Sequence, residues 1–161
     1  MLEAALRFLE SRPRSIGEVR RRLDGSGYRT DLVEGAIARL TDLGVLDDEA
    51  FARAWIESRD RARPRGERAL RAELRQKGID PATVDAVLED REATAGAGDP
   101  SRAADADDAA AERLLARHAA ALARIVDPRA RRQRAYALIA RNGFSPDIAG
   151  RLAAEAAREV E

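Results

Sequence analysis

One local pattern occurs three times in this sequence, and it constrains the fold more than any other feature. Each copy places an aliphatic residue four positions before a glycine and a large apolar residue directly after that glycine. The copies are Leu23 to Gly27-Tyr28, Leu74 to Gly78-Ile79 and Ile139 to Gly143-Phe144. Glycine readily adopts the left-handed conformation that ends a helix, and the apolar residue after it folds back onto that helix. The pattern therefore predicts three helices that end in the same way.

Helix-start signals accompany these endings along the whole chain. Ser15 with Glu18 three residues later has the form of a capping box, and further caps are expected at Thr30, Asp47-Asp48, Asp80-Pro81, Asp127-Pro128 and Ser145-Pro146. Only 4% of the residues are aromatic, whereas the strong helix formers Ala, Leu, Arg and Glu dominate. The sequence predicts an all-α fold of tandem three-helix repeats in an elongated, curved array.

Composition divides the chain into three such repeats. We expect repeat 1 at residues 1–46, repeat 2 at 47–91 and repeat 3 at 102–161. Residues 92–101 (EATAGAGDPS) are small and contain Gly and Pro, which predicts a flexible linker. The acidic group that follows, Asp105, Asp107 and Asp108, is attributed to solvation of this linker.

The interior of the second repeat is predicted from the fourth helix of the chain. Phe51, Ala54 and Trp55 form the expected buried stripe. Phe51 and Trp55 lie four residues apart on a helix, so they are interpreted as core anchors rather than as a stacking platform for bases.

The residue inventory excludes several classes of enzyme and metalloprotein. The chain has no cysteine, which removes thiol catalysis and thiolate metal sites, and it contains no phosphate-binding GxxxxGK motif. His118 is the single histidine, so no second imidazole is present to complete a metal site. The acidic group Asp47-Asp48-Glu49 is explained by helix capping rather than by metal binding. We expect no catalytic residue, no metal and no cofactor.

The sequence also predicts a cytoplasmic protein. It has no apolar run of the roughly 20 residues needed to cross a bilayer. The N-terminal stretch MLEAALRFLESR lacks the pattern of a signal peptide.

Local clusters of positive charge are the candidate binding sites, because the formal net charge of the whole chain is +0. A run of eight basic residues between Arg59 and Lys77 faces only three acidic ones, and Arg68, Arg71 and Arg75 are predicted to share one helix face. A second cluster lies in the helix that is predicted to start at Asp127-Pro128. The candidates for binding a partner or phosphates are Arg61, Arg63, Arg65, Arg68, Arg71, Arg75 and Lys77 in the first cluster, and Arg131, Arg134 and Arg141 in the second.

The basic residues have an ordinary alternative explanation. Nearly all positive residues are arginines, which codon bias in a GC-rich genome would also produce, and a charged helix face is common on soluble proteins. A third basic group, Arg12, Arg14, Arg20, Arg21 and Arg22, is a weaker candidate.

Taken in order along the chain, four segments resemble the RecX family. They are SRPRSIGEVRRRL (11–23), VEGAIARLTDLGVLDDEAFARAWIESR (33–59), RGERALRAELRQKGID (65–80) and RNGFSPDIA (141–149). The resemblance implies tandem three-helix repeats and a non-enzymatic regulator that binds the RecA–DNA filament and inhibits the recombinase and ATPase activities of RecA. It places the protein in DNA repair, homologous recombination and the SOS response, as a monomer. The basic faces would then meet RecA, or single- or double-stranded DNA.

A DNA-binding transcription regulator is the alternative function. Repeat 1 has the form of a helix-turn-helix, with Ser15–Leu23 followed by Thr30–Leu43. Against it, the would-be recognition helix carries Arg39 as its only cation beside three acidic residues, and such a helix repels phosphates.

Overall fold

Helices are the only regular elements in residues 1–96 and 105–158, which are the residues that the computed structural model describes. The predicted all-α class is therefore confirmed. In chain order the helices are α1 Leu2–Glu10, α2 Ile16–Asp24, α3 Thr30–Asp42, α4 Asp48–Ala62, α5 Glu67–Lys77, α6 Pro81–Gly96, α7 Ala106–Ala123, α8 Pro128–Arg141 and α9 Pro146–Arg158. None of these helices is both long enough and apolar enough to span a membrane.

The helices form two compact units. The first contains Met1–Trp55 and Glu73–Val87, and the second contains Ile56–Ala72 with the described part of Leu88–Glu161. A cluster of buried aliphatic residues from α1, α2 and α3, including Val19, Leu23 and Ile37, forms a core in the first unit. In the second unit α7, α8 and α9 pack around Leu114, Ile139, Phe144 and Leu152.

The repeated glycine pattern has the predicted conformation. Gly27, Gly78 and Gly143 have φ values of 79°, 85° and 89°, in the left-handed region. After Gly78, the Ile79 N–H donates to the Leu74 carbonyl at 3.2 Å, which folds the chain back over the last turn of α5. The apolar residues that follow the second and third glycines, Ile79 and Phe144, are both buried.

Most of the predicted helix starts are confirmed. Ser15 and Glu18 form a reciprocal capping box at α2, and the side chains of Asp47, Asp80, Asp127 and Ser145 each accept hydrogen bonds from backbone N–H groups in the first turn that follows. The prediction for Thr30 was wrong. Thr30 is the first residue of α3, and Arg29 holds the cap position without a side-chain hydrogen bond.

The predicted stripe of α4 was wrong at one position. Ala54 is exposed, whereas Phe51, Ala52 and Ile56 are buried, and Trp55 is half-buried. The buried face thus runs along positions 51, 52, 55 and 56. Periodicity alone could not exclude Ala54, because positions 51, 54 and 55 also fit a 3.6-residue turn. The Phe51 and Trp55 rings stack with centroids 6.0 Å apart.

The first residues of the predicted linker belong to a helix. Residues 92–96 form the last turn of α6, and residues 97–101 lie outside the described residues. The attribution of the acidic group to linker solvation was wrong. Asp105 caps α7, Asp107 is buried, and Asp108 pairs with Arg151.

Candidate partner-binding site

The α4–α5 connection, residues 63–66, is held against the end of α8 in the second unit. Gly66 is buried, and its N–H donates to the Asn142 carbonyl at 3.0 Å. A Cβ at Gly66 would overlap the backbone of Gly143, so only glycine permits this approach. Arg65 adds a hydrogen bond of 2.7 Å from Nη1 to the Asn142 side-chain oxygen. This contact brings Arg65 of the first basic cluster to the end of α8, the helix that carries the second cluster.

Helix α7 supports the same connection. The Arg117 guanidinium donates to the carbonyl of Arg61 at 2.8 Å and also to the carbonyl of Ala62. These carbonyls belong to the end of α4, where a helix leaves its last C=O groups without internal partners. Arg117 could not be identified from the sequence, because its role depends on contacts with residues that lie 55 and 56 positions away along the chain.

A buried ionic group fixes the start of α7 and the end of α6 in this unit. Arg91 pairs with Asp60 at 2.9 Å and with Asp107 at 2.8 Å, and Asp107 also accepts the Glu67 N–H. Burial alone lowers the pKa of Arg91, but the hydrogen bonds with Asp60 and Asp107 reverse this and raise it. Burial raises the pKa of Asp107 against the opposing effect of Arg91. No spacing in the sequence indicated this group.

Three arginines of the first cluster are exposed around the connection. Arg61, Arg63 and Arg68 make no side-chain ion pair within residues 1–96 and 105–158. Arg71 differs, because it is half-buried and pairs with Glu67 at 2.8 Å. Arg65 is half-buried against Asn142. The surface available to a partner therefore centres on Arg61, Arg63 and Arg68.

Arg75 and Lys77 belong to the first unit and have different environments. Arg75 is exposed. Lys77 donates to Glu18 at 2.8 Å and lies 4.7 Å from the centre of the Trp55 ring, so its charge is already matched within the protein. Burial alone would raise the pKa of Glu18, yet hydrogen bonds from Lys77, Arg12 and Ser15 lower it to about 2. Lys77 therefore stabilises the fold rather than offering a free cation.

The second cluster separates into one buried and two exposed arginines. Arg131 is only 4% exposed, and its guanidinium donates to the carbonyls of Ile125 and Ala157 at distances from 2.9 to 3.2 Å. A side chain so placed cannot reach a partner, which removes Arg131 from the candidates. Arg134 and Arg141 are exposed on α8 and line a cavity beside α7. The described residues contain no group of acidic or histidine side chains that would hold a metal ion.

Comparison with known proteins gives consistent matches. Residues 2–40 match the family profile described as RecX, first three-helix domain, and residues 47–88 match RecX, second three-helix domain. A relative from Thermobifida fusca (strain YX), named Regulatory protein RecX, is 32% identical over 150 residues, which is 93% of this chain and 75% of the relative. A relative of the same name from Mycolicibacterium vanbaalenii is 42% identical over 83 residues, which is 52% of this chain and 45% of the relative. In several such matches the chain spans about half the length of the relative.

Two solved structures share the fold. The crystal structure of RecX from Lactobacillus salivarius superposes with a TM-score of 0.69 at 21% identity, covering 96% of this chain and 93% of that one. A crystal structure of regulatory protein RecX gives a TM-score of 0.65 at 22% identity, covering 91% of this chain and 66% of that one. At these identities the likeness establishes the architecture alone.

Proposed function

The chain belongs to the RecX family of regulatory proteins, and on that premise we propose that it binds the RecA–DNA filament in the cytoplasm and inhibits the recombinase and ATPase activities of RecA. This would make it a non-enzymatic regulator of DNA repair and homologous recombination. Binding would use charge on a folded surface rather than a deep catalytic pocket.

The observation that carries the proposal is the uncompensated positive charge of Arg61, Arg63 and Arg68. The whole chain is neutral, with 29 basic and 29 acidic residues, and these arginines lie close together around the α4–α5 connection rather than next to a pairing carboxylate. These three have none in the described part of the chain. Exposed arginines that are left without partners suit the acidic surface or the phosphates of a nucleoprotein filament.

Replacement of these arginines tests the proposal. A variant with Arg61→Gln, Arg63→Gln and Arg68→Gln should fold normally, because exposed substitutions change stability by only about ±0.5 kcal/mol each. Its inhibition of RecA ATPase activity on single-stranded DNA should weaken by about tenfold or more, and the remaining inhibition should depend less on salt because fewer charge contacts are left to screen. The measurement is ATP hydrolysis titrated with the regulator at two salt concentrations.

The matched control removes the same amount of charge elsewhere. Arg7→Gln, Arg39→Gln and Arg158→Gln lie at exposed positions on α1, α3 and α9 and should leave inhibition within about twofold of the unchanged protein. Equal losses in both triple variants would show that only total charge matters and would refute a localised site. Capture on naked DNA as strong as on the filament would instead favour a DNA-binding regulator.

A further inference from the structure

An open cavity lies between α7 and α8 in the second unit. Its volume is about 280 Å³, and its lining includes four apolar residues that we call its floor: Ala121, Leu122, Ile125 and Leu138. Its rim carries three basic side chains, His118, Arg134 and Arg141. We call this feature the α7–α8 cavity. It combines an apolar interior with a rim of one sign of charge.

The two rim arginines have no ion-pair partner in the part of the chain that the structure describes. Arg134 and Arg141 are exposed and form no ion pair in the described residues, and no carboxylate lines the cavity. The His118 Nδ1 lies 2.9 Å from the Leu114 carbonyl oxygen. Because a carbonyl can only accept, Nδ1 carries the hydrogen, and the Nε2 of the neutral ring is then an acceptor, so the donors that face an anionic ligand are the two guanidinium groups. An anionic group at the rim would thus meet the guanidinium groups of Arg134 and Arg141.

The spacing along α8 indicates the form of the ligand. Arg134 and Arg141 lie seven residues apart, which is about two turns or 10.5 Å along the helix axis, on the same face. Leu138 lies between them and forms part of the floor. The order along this face is therefore cation, apolar, cation. A helix with acidic, apolar and acidic side chains at the same spacing is its complement.

We propose that the α7–α8 cavity is a docking site for an acidic amphipathic segment of a protein partner. An aliphatic side chain of that segment would enter the cavity, while carboxylates on either side pair with Arg134 and Arg141. The proposal rests on the proposed function in that it requires a protein partner. Nucleic acid fits less well, because the floor has no aromatic ring on which a base could stack.

A designed peptide tests this site directly. The probe is a fluorescein-labelled helical peptide with Glu, Leu and Glu at positions i, i+4 and i+7, titrated with the full chain and followed by fluorescence anisotropy. Arg134→Gln with Arg141→Gln removes the rim charge, and Ala121→Phe fills the exposed floor without changing charge. Each variant should weaken binding by about tenfold or more. Ala121→Leu provides a second cavity-filling variant if the larger ring perturbs the fold.

Controls on the same helices separate the cavity from general surface effects. Arg132→Gln on α8 and Ala120→Phe on α7 are exposed positions outside the cavity lining and should leave peptide affinity within about twofold. A peptide with Ser in place of its central Leu should bind about tenfold more weakly. Circular dichroism of every variant confirms that the helices remain.

Several outcomes would overturn the docking site. The first is that the peptide does not bind. The second is that peptide affinity falls when the arginines are replaced but not when the floor is filled. The third is that a single-stranded oligonucleotide displaces the peptide and its own binding weakens in the same variants. Capture of the chain on RecA filaments, measured in parallel, separates the two proposals. If filaments capture the chain but the peptide does not bind, only the docking-site proposal is refuted. If the peptide binds but filaments do not capture the chain, only the proposed function is refuted.

Discussion

Gly17 lies where the backbone of another helix end comes within contact distance. A Cβ at this position would be 2.6 Å from the Lys77 carbonyl oxygen and 2.8 Å from the Cα of Gly78. The neighbouring Ser15 donates its hydroxyl hydrogen to the same Lys77 carbonyl at 2.6 Å. The start of α2 is therefore seated on the glycine turn that ends α5, and the side chain of residue 17 must be absent for this to happen.

Alanine substitution of two helical glycines shows whether stability is governed by close backbone packing at the glycine or by the higher helix propensity of alanine. Gly17→Ala should destabilise the protein by about 1–3 kcal/mol, as expected when a methyl group is forced into a filled space. Gly35→Ala should stabilise it by up to about 1 kcal/mol, because Gly35 lies in α3 with nothing within 4 Å of its Cβ position and alanine is the better helix former. Urea denaturation of both variants provides the measurement. Stabilisation by both substitutions would contradict the close approach.

At the scale of helices, the sequence predicted where elements end better than which residues they bury. The glycine turns after α2, α5 and α8 could be predicted because a left-handed residue is a local requirement. The burial of Arg131 could not be predicted, because it depends on carbonyls of Ile125 and Ala157 that meet only after α7, α8 and α9 have packed. From charge alone, Arg131 and Arg134 are indistinguishable.

Arg131 and Arg134, which both lie in α8, should therefore respond differently to truncation. Arg131→Ala leaves the partly buried carbonyls of Ile125 and Ala157 without these donors and should cost about 2–3 kcal/mol of unfolding free energy. Arg134→Ala removes an exposed side chain and should change that energy by no more than about 0.5 kcal/mol. Thermal melts followed by circular dichroism make the comparison. Equal effects at the two positions would show that the buried hydrogen bonds of Arg131 contribute nothing to stability.

At the scale of the whole molecule, the three-repeat division remains a prediction, and the compact units cut across it. The second unit joins Ile56–Ala72, from the predicted repeat 2, with helices that follow the predicted linker. Local signals cannot reveal such long-range packing, because the contacts of Asp60 with Arg91 and of Gly66 with Asn142 connect residues far apart in sequence. The same limit applies to the candidate site. The basic residues could be identified from the sequence, but which of them are exposed and without an ion-pair partner among the described residues could not.

Shortening the chain tests this division. A chain that ends after Glu92 loses Asp107 and Asn142, the partners of Arg91 and of the Gly66 N–H. Loss of these contacts and of the packing around them should cost several kcal/mol, which corresponds to a fall of at least about 10 °C in Tm for a chain of this size. A chain that ends after Arg158 is the control and should melt as the full chain does. An unchanged Tm for the shorter chain would show that residues 1–92 are an independent folding unit.

The glycine contact also bears on how a chain of this kind lengthens in evolution. The start of α2 meets the glycine turn of α5, and the start of α5 meets the glycine turn of α8, so α5 carries both halves of the contact. Tandem duplication of the gene segment that encodes a three-helix module of this kind copies both contact surfaces, the helix start and the glycine turn. The new module can then pack against its neighbour through the same type of contact. Gly27 ends α2 with the same turn, and no described residue lies within 4 Å of its Cβ position. Descendants of such a chain can therefore gain length in whole modules, without a new interface having to evolve at each step.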